Sequence, residues 1–237
     1  MPDHSDSLLD LYGSSARRFR LRLGRYAAAA EQIDAFVGER RAYALDAGCG
    51  RGRVARVSRA PGLRWLGLDL SPERLAIASE SNRYDLVRGD IRQLPLRPHT
   101  LDVVTCIQVL EHFEEPEAHQ LATDLGALLR PGGFLLLSVP IFPAAVLRLK
   151  RLADRTLVSM GRGAIRGAAH PSHFSLGTAL RLIPPGFRVT DVRGVRVFSL
   201  PRKRLEDYRW WYRLHGWVGR KAPAWTVEVN ICAHKPT

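Results

Sequence analysis

Cysteine is scarce in this 237-residue chain, which holds only Cys49, Cys106 and Cys232. So few, so widely spaced and odd in number, they exclude a disulfide framework and a cysteine-based zinc site. Lysine is nearly as rare (Lys150, Lys203, Lys221 and Lys235), so arginine carries most of the positive charge. No apolar run reaches the roughly 18 residues of a membrane span, and the longest, Gly132 to Ala145, is broken by prolines at its end. The first residues, Met1-Pro-Asp-His-Ser-Asp6, place acids where a secretory leader has basic and then apolar residues. A soluble, cytoplasmic protein is expected. No internal repeat is present. The rest of the composition, 46% hydrophobic, 25% charged and 8% aromatic, is that of an ordinary globular chain. Its length suits one moderate domain, with room for an appended lid.

The charge that is present is unevenly placed. Lys and Arg number 36 against 23 acids, a net of +13. Between Ile141 and Ala224 stand 17 basic and four acidic residues, while the rest of the chain holds 19 of each sign. A concentrated positive field suits an anionic substrate, a nucleic acid or a membrane surface. A solvated basic face with no partner is the plain alternative. Trp210, Trp211, Tyr212 and Trp217 lie within the same segment, and amphipathic aromatics among cations suit a membrane interface.

From Ala42 onward, short apolar runs alternate with helical patterns. Strands are expected at Tyr43–Asp46, Leu63–Asp69, Asp85–Arg88, Leu101–Gln108 and Phe134–Val139. The last is almost continuously apolar, as buried parallel strands are. Helices are expected over Arg51–Arg59, from Ser71-Pro72-Glu73 to about Ser81, and over Glu117–Leu129. Ser71 stands at the N-cap and Pro72 at the first helical position. Pro131-Gly132-Gly133 reads as a turn. Such alternation indicates an open α/β sheet with right-handed crossovers.

Ahead of the sheet, Phe19, Leu23, Tyr26, Ala30, Ile33 and Val37 form one apolar stripe on a helix from about Ser15 to Val37. Beyond it, Val146 to Met160 is patterned as an amphipathic helix, and Gly161–Gly167 as a loop. Ser175–Leu182 reads as a short helix, and Phe187–Phe198 and Trp225–Ala233 as strands. The organisation expected is an N-terminal helical arm over 1–41 and an α/β domain over 42–237, with lid-like insertions at about 141–173 and 200–224.

The strongest chemical feature is Asp46-Ala-Gly48-Cys-Gly50-Arg-Gly52 at the end of the first strand. Glycines there let the backbone turn tightly and approach a ligand, and the following helix N-terminus favours an anionic group. The third glycine comes one residue too early for a dinucleotide fingerprint, and a P-loop's Gly-Lys-Ser/Thr is absent. Asp69 ends the second strand, where an acid beside the loop can accept from a ribose diol. Asp90, after the third strand, could accept from an adenine amine. In this order they point to an adenosine ligand.

With those residues in place, the chain resembles a class I S-adenosylmethionine-dependent methyltransferase, of the group that includes quinone-biosynthesis and other small-molecule enzymes. Five stretches match in order: Leu45–Gly52, Leu66–Ser71, Val87–Leu96, Leu101–His112 and Leu128–Phe134. The resemblance implies a Rossmann-like, seven-stranded, mostly parallel sheet whose last strand is antiparallel. It implies S-adenosylmethionine as cofactor, with Gly48, Gly50 and Gly52 along its methionine and ribose part. Asp46 would help hold the methionine ammonium, directly or through water, Asp69 the ribose hydroxyls, Asp90 and Ile91 the adenine, and Gln108 would lie beside the methionine. The basic insertions would cover the acceptor site, favouring a small anionic or lipid-linked acceptor and contact with the inner face of the membrane.

His112, in Leu110-Glu111-His112, and His173, in His170-Pro-Ser-His173, are the candidate proton acceptors, because imidazole titrates near neutrality. No metal site is expected. Two other functions compete. An RNA or DNA methyltransferase would use the arginines on phosphates and the tryptophans on bases, although no Asn-Pro-Pro-Tyr/Phe or Asp-Pro-Pro-Tyr motif follows the fourth strand. A non-catalytic cofactor-binding scaffold would carry the same motifs.

Overall fold

The structure, a computed structural model, describes residues 20–142, 171–195 and 209–237, with side chains from residue 24 in the first stretch and from 214 in the last. The helix expected over Val146–Met160, the loop Gly161–Gly167 and His170 lie outside the described residues.

Seven strands form one sheet among the described residues: β1 (Ala42–Ala47), β2 (Leu63–Asp69), β3 (Tyr84–Arg88), β4 (Leu101–Ile107), β5 (Leu129–Pro140), β6 (Arg188–Gly194) and β7 (Glu228–His234). Their order is β3-β2-β1-β4-β5-β7-β6, and β7 runs antiparallel to both β5 and β6. The sheet is therefore the mostly parallel one expected. Strand order reverses between β1 and β4, and in open α/β sheets ligands bind outside the strand carboxyl ends at such a switch point.

Alternate residues of each strand face opposite layers. On one side Ala42, Ala44, Val103, Phe134, Leu136 and Cys232 pack with Ala29, Ile33 and Val37 of α1 (Arg20–Val37) and with α2 (Arg53–Val57). On the other, Leu135, Leu137, Val139, Val229 and Ile231 share a core with Leu121 and Leu125 of α4 (Glu115–Ala127) and Ala179 of α5 (Leu176–Leu180). Between β2 and β3 lies α3 (Pro72–Ser79), capped as expected: Arg74 N–H donates to the Ser71 hydroxyl. Polar contacts fasten α1 across the antiparallel edge. Gln32 donates to Asp191 at 2.7 Å, Arg193 pairs with Glu31 at 2.7 Å, and Asn230 donates to Gln32.

Two expectations change. The last strand begins at Glu228 and not at Trp225, which lies in a 3-10 turn. Pro131-Gly132-Gly133 is no turn ahead of the fifth strand but an irregularity inside it. Leu101 pairs with Leu129 and the next registered pair is Val103 with Phe134, so extra residues bulge out of the ladder. The Gly132 N–H is satisfied from the other side, by the Lys235 carbonyl at 3.1 Å. The aromatic basic segment near the C-terminus includes α6 (Arg209–Lys221), which packs on β6 and is followed by the 3-10 turn Pro223–Trp225.

Candidate functional site

β1, β2, β3 and β4 all deliver their carboxyl ends to one edge of the sheet, and the expected site residues follow those ends. After β1 the chain turns through Gly48–Gly52 into α2. Gly48 has φ 74°, and a Cβ on it would overlap the Val109 side chain. Its N–H and that of Cys49 both donate to the Leu68 carbonyl, at 2.7 and 2.9 Å, which ties the loop to the end of β2. Gly50 has φ 54°, and a Cβ there would meet nothing within 4 Å. At Gly50 the loop backbone thus faces open space.

Asp69 is buried at the end of β2. Its Oδ2 accepts from Gly50 N–H at 2.8 Å and its Oδ1 from Ser71 N–H at 2.9 Å. An ionised carboxylate offers about four acceptor sites, so each oxygen keeps capacity for one further donor, such as a sugar hydroxyl.

Asp46 stands behind the loop with its carboxylate engaged. Tyr84 OH donates to Oδ2 at 2.7 Å and Thr105 OH to Oδ1 at 3.1 Å. Burial pushes its pKa up to about 6 despite those two hydrogen bonds, and Asp69 adds to the rise. Tyr84 does more than hold Asp46. Its phenol oxygen accepts from Ala55 N–H at 3.1 Å, in the first turn of α2, and its ring lies under Gly52 and Gly67. It braces the glycine loop from below. Nothing in the sequence marked it, because its contacts are 29 and 38 residues away along the chain.

Asp90 and Ile91 follow β3. The Asp90 carboxylate accepts from Arg92 Nε, at 3.0 Å to each oxygen, and from the Arg92 backbone N–H at 2.9 Å. Those bonds hold its carboxyl below the usual range. Ile91 is buried in the core below it. Gln108, just past β4, takes φ 57°, a left-handed conformation that a residue with a side chain enters at a cost. Its N–H donates to the Ser138 carbonyl at 2.8 Å, holding it at the end of β5.

The chain then makes the 3-10 turn Leu110–His112, with His112 exposed. The segment Ser172–Phe174 lies against that turn: Ser172 OH donates to the Phe113 carbonyl, and its N–H to that of Glu111 at 3.4 Å. This brings His173 to the same rim as His112, its ring centroid 5.8 Å from that of Phe142.

Glu111, next to His112 in the chain, was not singled out from the sequence. It is buried, and burial pushes its pKa up to about 7, with Glu228 adding to the rise and Arg25 opposing it. Its Oε2 has no hydrogen-bond partner among the described residues. Arg25 of α1 donates to Glu228 at 2.6 Å, and Glu228 sits opposite Pro140 at the carboxyl end of β5. Among the described residues, no group of three or more His, Cys, Asp or Glu is placed to hold a metal ion.

The residues present fit an adenosyl amino acid. The loop is open at Gly50, where a Cβ would meet nothing within 4 Å, and Asp69 keeps acceptor capacity that a diol could use.

Comparison with known proteins agrees with this geometry. Residues 45–137 match the family described as "Methyltransferase domain". The chain is 30% identical over 153 residues to a probable S-adenosylmethionine-dependent methyltransferase of Mycolicibacterium smegmatis, covering 64% of this chain and 54% of that protein. It is 33% identical over 100 residues to a ubiquinone biosynthesis O-methyltransferase of Bordetella bronchiseptica, covering 40% and 41% of the two chains. It thus spans about half the length of these relatives, or less. In fold it is similar to magnesium protoporphyrin IX methyltransferase of Synechocystis, solved with bound S-adenosylhomocysteine, at a TM-score of 0.60 and 17% identity over 91% of this chain and 85% of that one. The ordered motifs, the sheet with its antiparallel β7 and the matched domain are all similar to those of class I S-adenosylmethionine-dependent methyltransferases.

Proposed function

We propose that this chain transfers a methyl group from S-adenosylmethionine to a small acceptor that is anionic or lipid-linked. The observation that carries the cofactor half is the Asp69 carboxylate: it is fixed by two backbone amides beside an open glycine loop and still has acceptor sites to spare. When bound, the cofactor supplies an electrophilic methyl on sulfonium. The chain contributes binding, positioning and exclusion of water, on which an in-line displacement depends.

In this reading Gly48, Gly50 and Gly52 line the methionine and ribose, and Asp69 takes the ribose diol. Asp90 and Ile91 meet the adenine, with Arg92 swinging off the Asp90 carboxylate to admit the adenine amine. Gln108 stands beside the methionine. Asp46 acts through the loop, which it holds together with Tyr84. The groups available to take a proton from the acceptor are His112, His173 and Glu111. Glu111 titrates at about 7, in the range useful to a general base at neutral pH. The net charge of +13 between Ile141 and Ala224 supports a negatively charged acceptor.

Calorimetric titration with S-adenosylmethionine and S-adenosylhomocysteine tests the reading. Micromolar binding is expected. Asp69→Ala should weaken it roughly ten- to hundredfold, the worth of one hydrogen bond to a charged group, with folding checked by thermal melting. No binding by the wild type would overturn the proposal.

A further inference from the structure

We infer that the outward face of α6, together with Trp225, docks on an anionic lipid bilayer and holds the cofactor edge of the sheet against it. The helix is packed the reverse way from one that only serves a core. It buries His215 and Gly219, while Leu214 is 42% exposed and Trp217 57%. Gly219 meets the end of β6 backbone to backbone, and a Cβ there would overlap the Gly194 carbonyl. The polar and small side of α6 therefore faces the protein.

Residues three and four apart share a helix face, so Leu214, Trp217 and Lys221 form one outward stripe, with exposed Arg220 beside it. Trp225 lies just beyond and is 71% exposed. Soluble surfaces seldom group large apolar side chains in this way without a partner. Tryptophan prefers the boundary between headgroups and acyl chains, and lysine or arginine beside it reaches lipid phosphates. The charge agrees: 17 basic residues stand against four acidic ones from Ile141 to Ala224.

The position of the patch gives it a use. β7 begins at Glu228, three residues after Trp225, and Glu228 pairs with Pro140 at the carboxyl end of β5. Gly48, Asp69 and Gln108 follow strand ends at that same edge. A bilayer touching Trp225 therefore lies beside the proposed cofactor site, where an acceptor dissolved in lipid would be within reach. The docking itself follows from α6 alone; this use of it rests on the methyl-transfer reading. A single-stranded nucleic acid fits less well. Trp217 and Arg220 also line a groove with Arg59 and Arg193, but Leu214 and Trp225 are not part of its lining, and base stacking on a groove would leave those two exposed apolar side chains unused.

The test is cosedimentation of the full chain with vesicles of phosphatidylglycerol and phosphatidylcholine, against phosphatidylcholine alone, across a salt series. Binding to the anionic vesicles at low salt is expected, with tryptophan emission shifted to the blue and quenched by brominated acyl chains. Trp217→Ala combined with Trp225→Ala should lower vesicle affinity at least tenfold. Lys221→Glu, at the exposed C-terminal end of α6, should lower it severalfold, with folding checked by thermal melting because an acid there opposes the helix dipole. Both variants should bind S-adenosylmethionine as the wild type does. Absence of vesicle binding at low salt overturns the inference. So does binding that neither variant changes, or an RNA oligonucleotide bound more tightly than the vesicles. Vesicle binding without cofactor binding would remove the methyl-transfer reading and leave the docking surface standing.

Discussion

Tyr84→Phe keeps the ring that supports the glycine loop and removes a single oxygen. That oxygen donates to Asp46 at 2.7 Å and accepts from Ala55 N–H at 3.1 Å. Burial and the Asp46 carboxylate push the phenol well above its ordinary pKa, so it is a donor at every pH at which the fold survives. Asp46 titrates at about 6 in the fold against 3.8 for the free group. The folded state therefore binds more protons than the unfolded one between those values, and wild-type stability falls as pH rises through that window. At pH 5 Asp46 is mostly protonated and has little need of a donor. The variant should then lose only the partner of Ala55 N–H, about 1–2 kcal/mol. At pH 8 the carboxylate is charged and loses a charge-assisted bond as well, which raises the deficit to roughly 3–4 kcal/mol. Urea unfolding at the two pH values measures both numbers, and an unchanged m-value shows that the comparison is sound. A deficit that is the same at pH 5 and pH 8, or one below about 0.5 kcal/mol at pH 8, refutes the bracing role given to this tyrosine. The same variant should bind S-adenosylhomocysteine more weakly, because the loop it braces lines the proposed site.

Glu111→Gln removes a carboxyl whose pKa is raised from 4.5 to about 7, so stability that wild type loses as pH rises through that window is not lost by the variant. Between pH 5 and pH 8 the stability difference should move in the variant's favour by about 2–3 kcal/mol, read from paired denaturation curves; parallel pH profiles would contradict this. If Glu111 also takes the acceptor's proton, kcat should fall in the variant and its dependence on a group near pH 7 should disappear. Gly48→Ala places a methyl group into the Val109 side chain at a positive φ, and should cost about 1–3 kcal/mol and weaken cofactor binding. Thermal melting and calorimetry read both effects, and an unchanged melting temperature would count against the close approach at that position.

The sheet was legible because its cause is local. Parallel strands covered on both faces are continuously apolar, so the run at Leu63–Asp69 and the C-terminal end of Phe134–Val139 could be placed to within a residue, although the fifth strand begins five residues earlier, at Leu129, and Ser71-Pro72 carried the start of α3 in its own chemistry. The glycine loop with Asp69 and Asp90 was legible for a related reason: strand-end residues of an open α/β sheet share an edge whatever the loops between them do. Pro131-Gly132-Gly133 misled because turn-forming residues also suit a bulge, and which of the two forms depends on whether Lys235 and Pro236 lie alongside. Tyr84 and Glu111 carried no local signal. The phenol matters through Asp46 and Ala55, and the carboxyl through burial beneath the segment at Ser172 and its distance from Arg25 and Glu228. Hydrophobic pattern and glycine spacing thus determined the fold class and the edge where chemistry can occur, since both depend on backbone geometry repeated over a few residues. Only the tertiary structure decided which acids are desolvated, which tyrosine holds the loop and which face of α6 meets solvent, because each depends on groups brought together from remote parts of the chain.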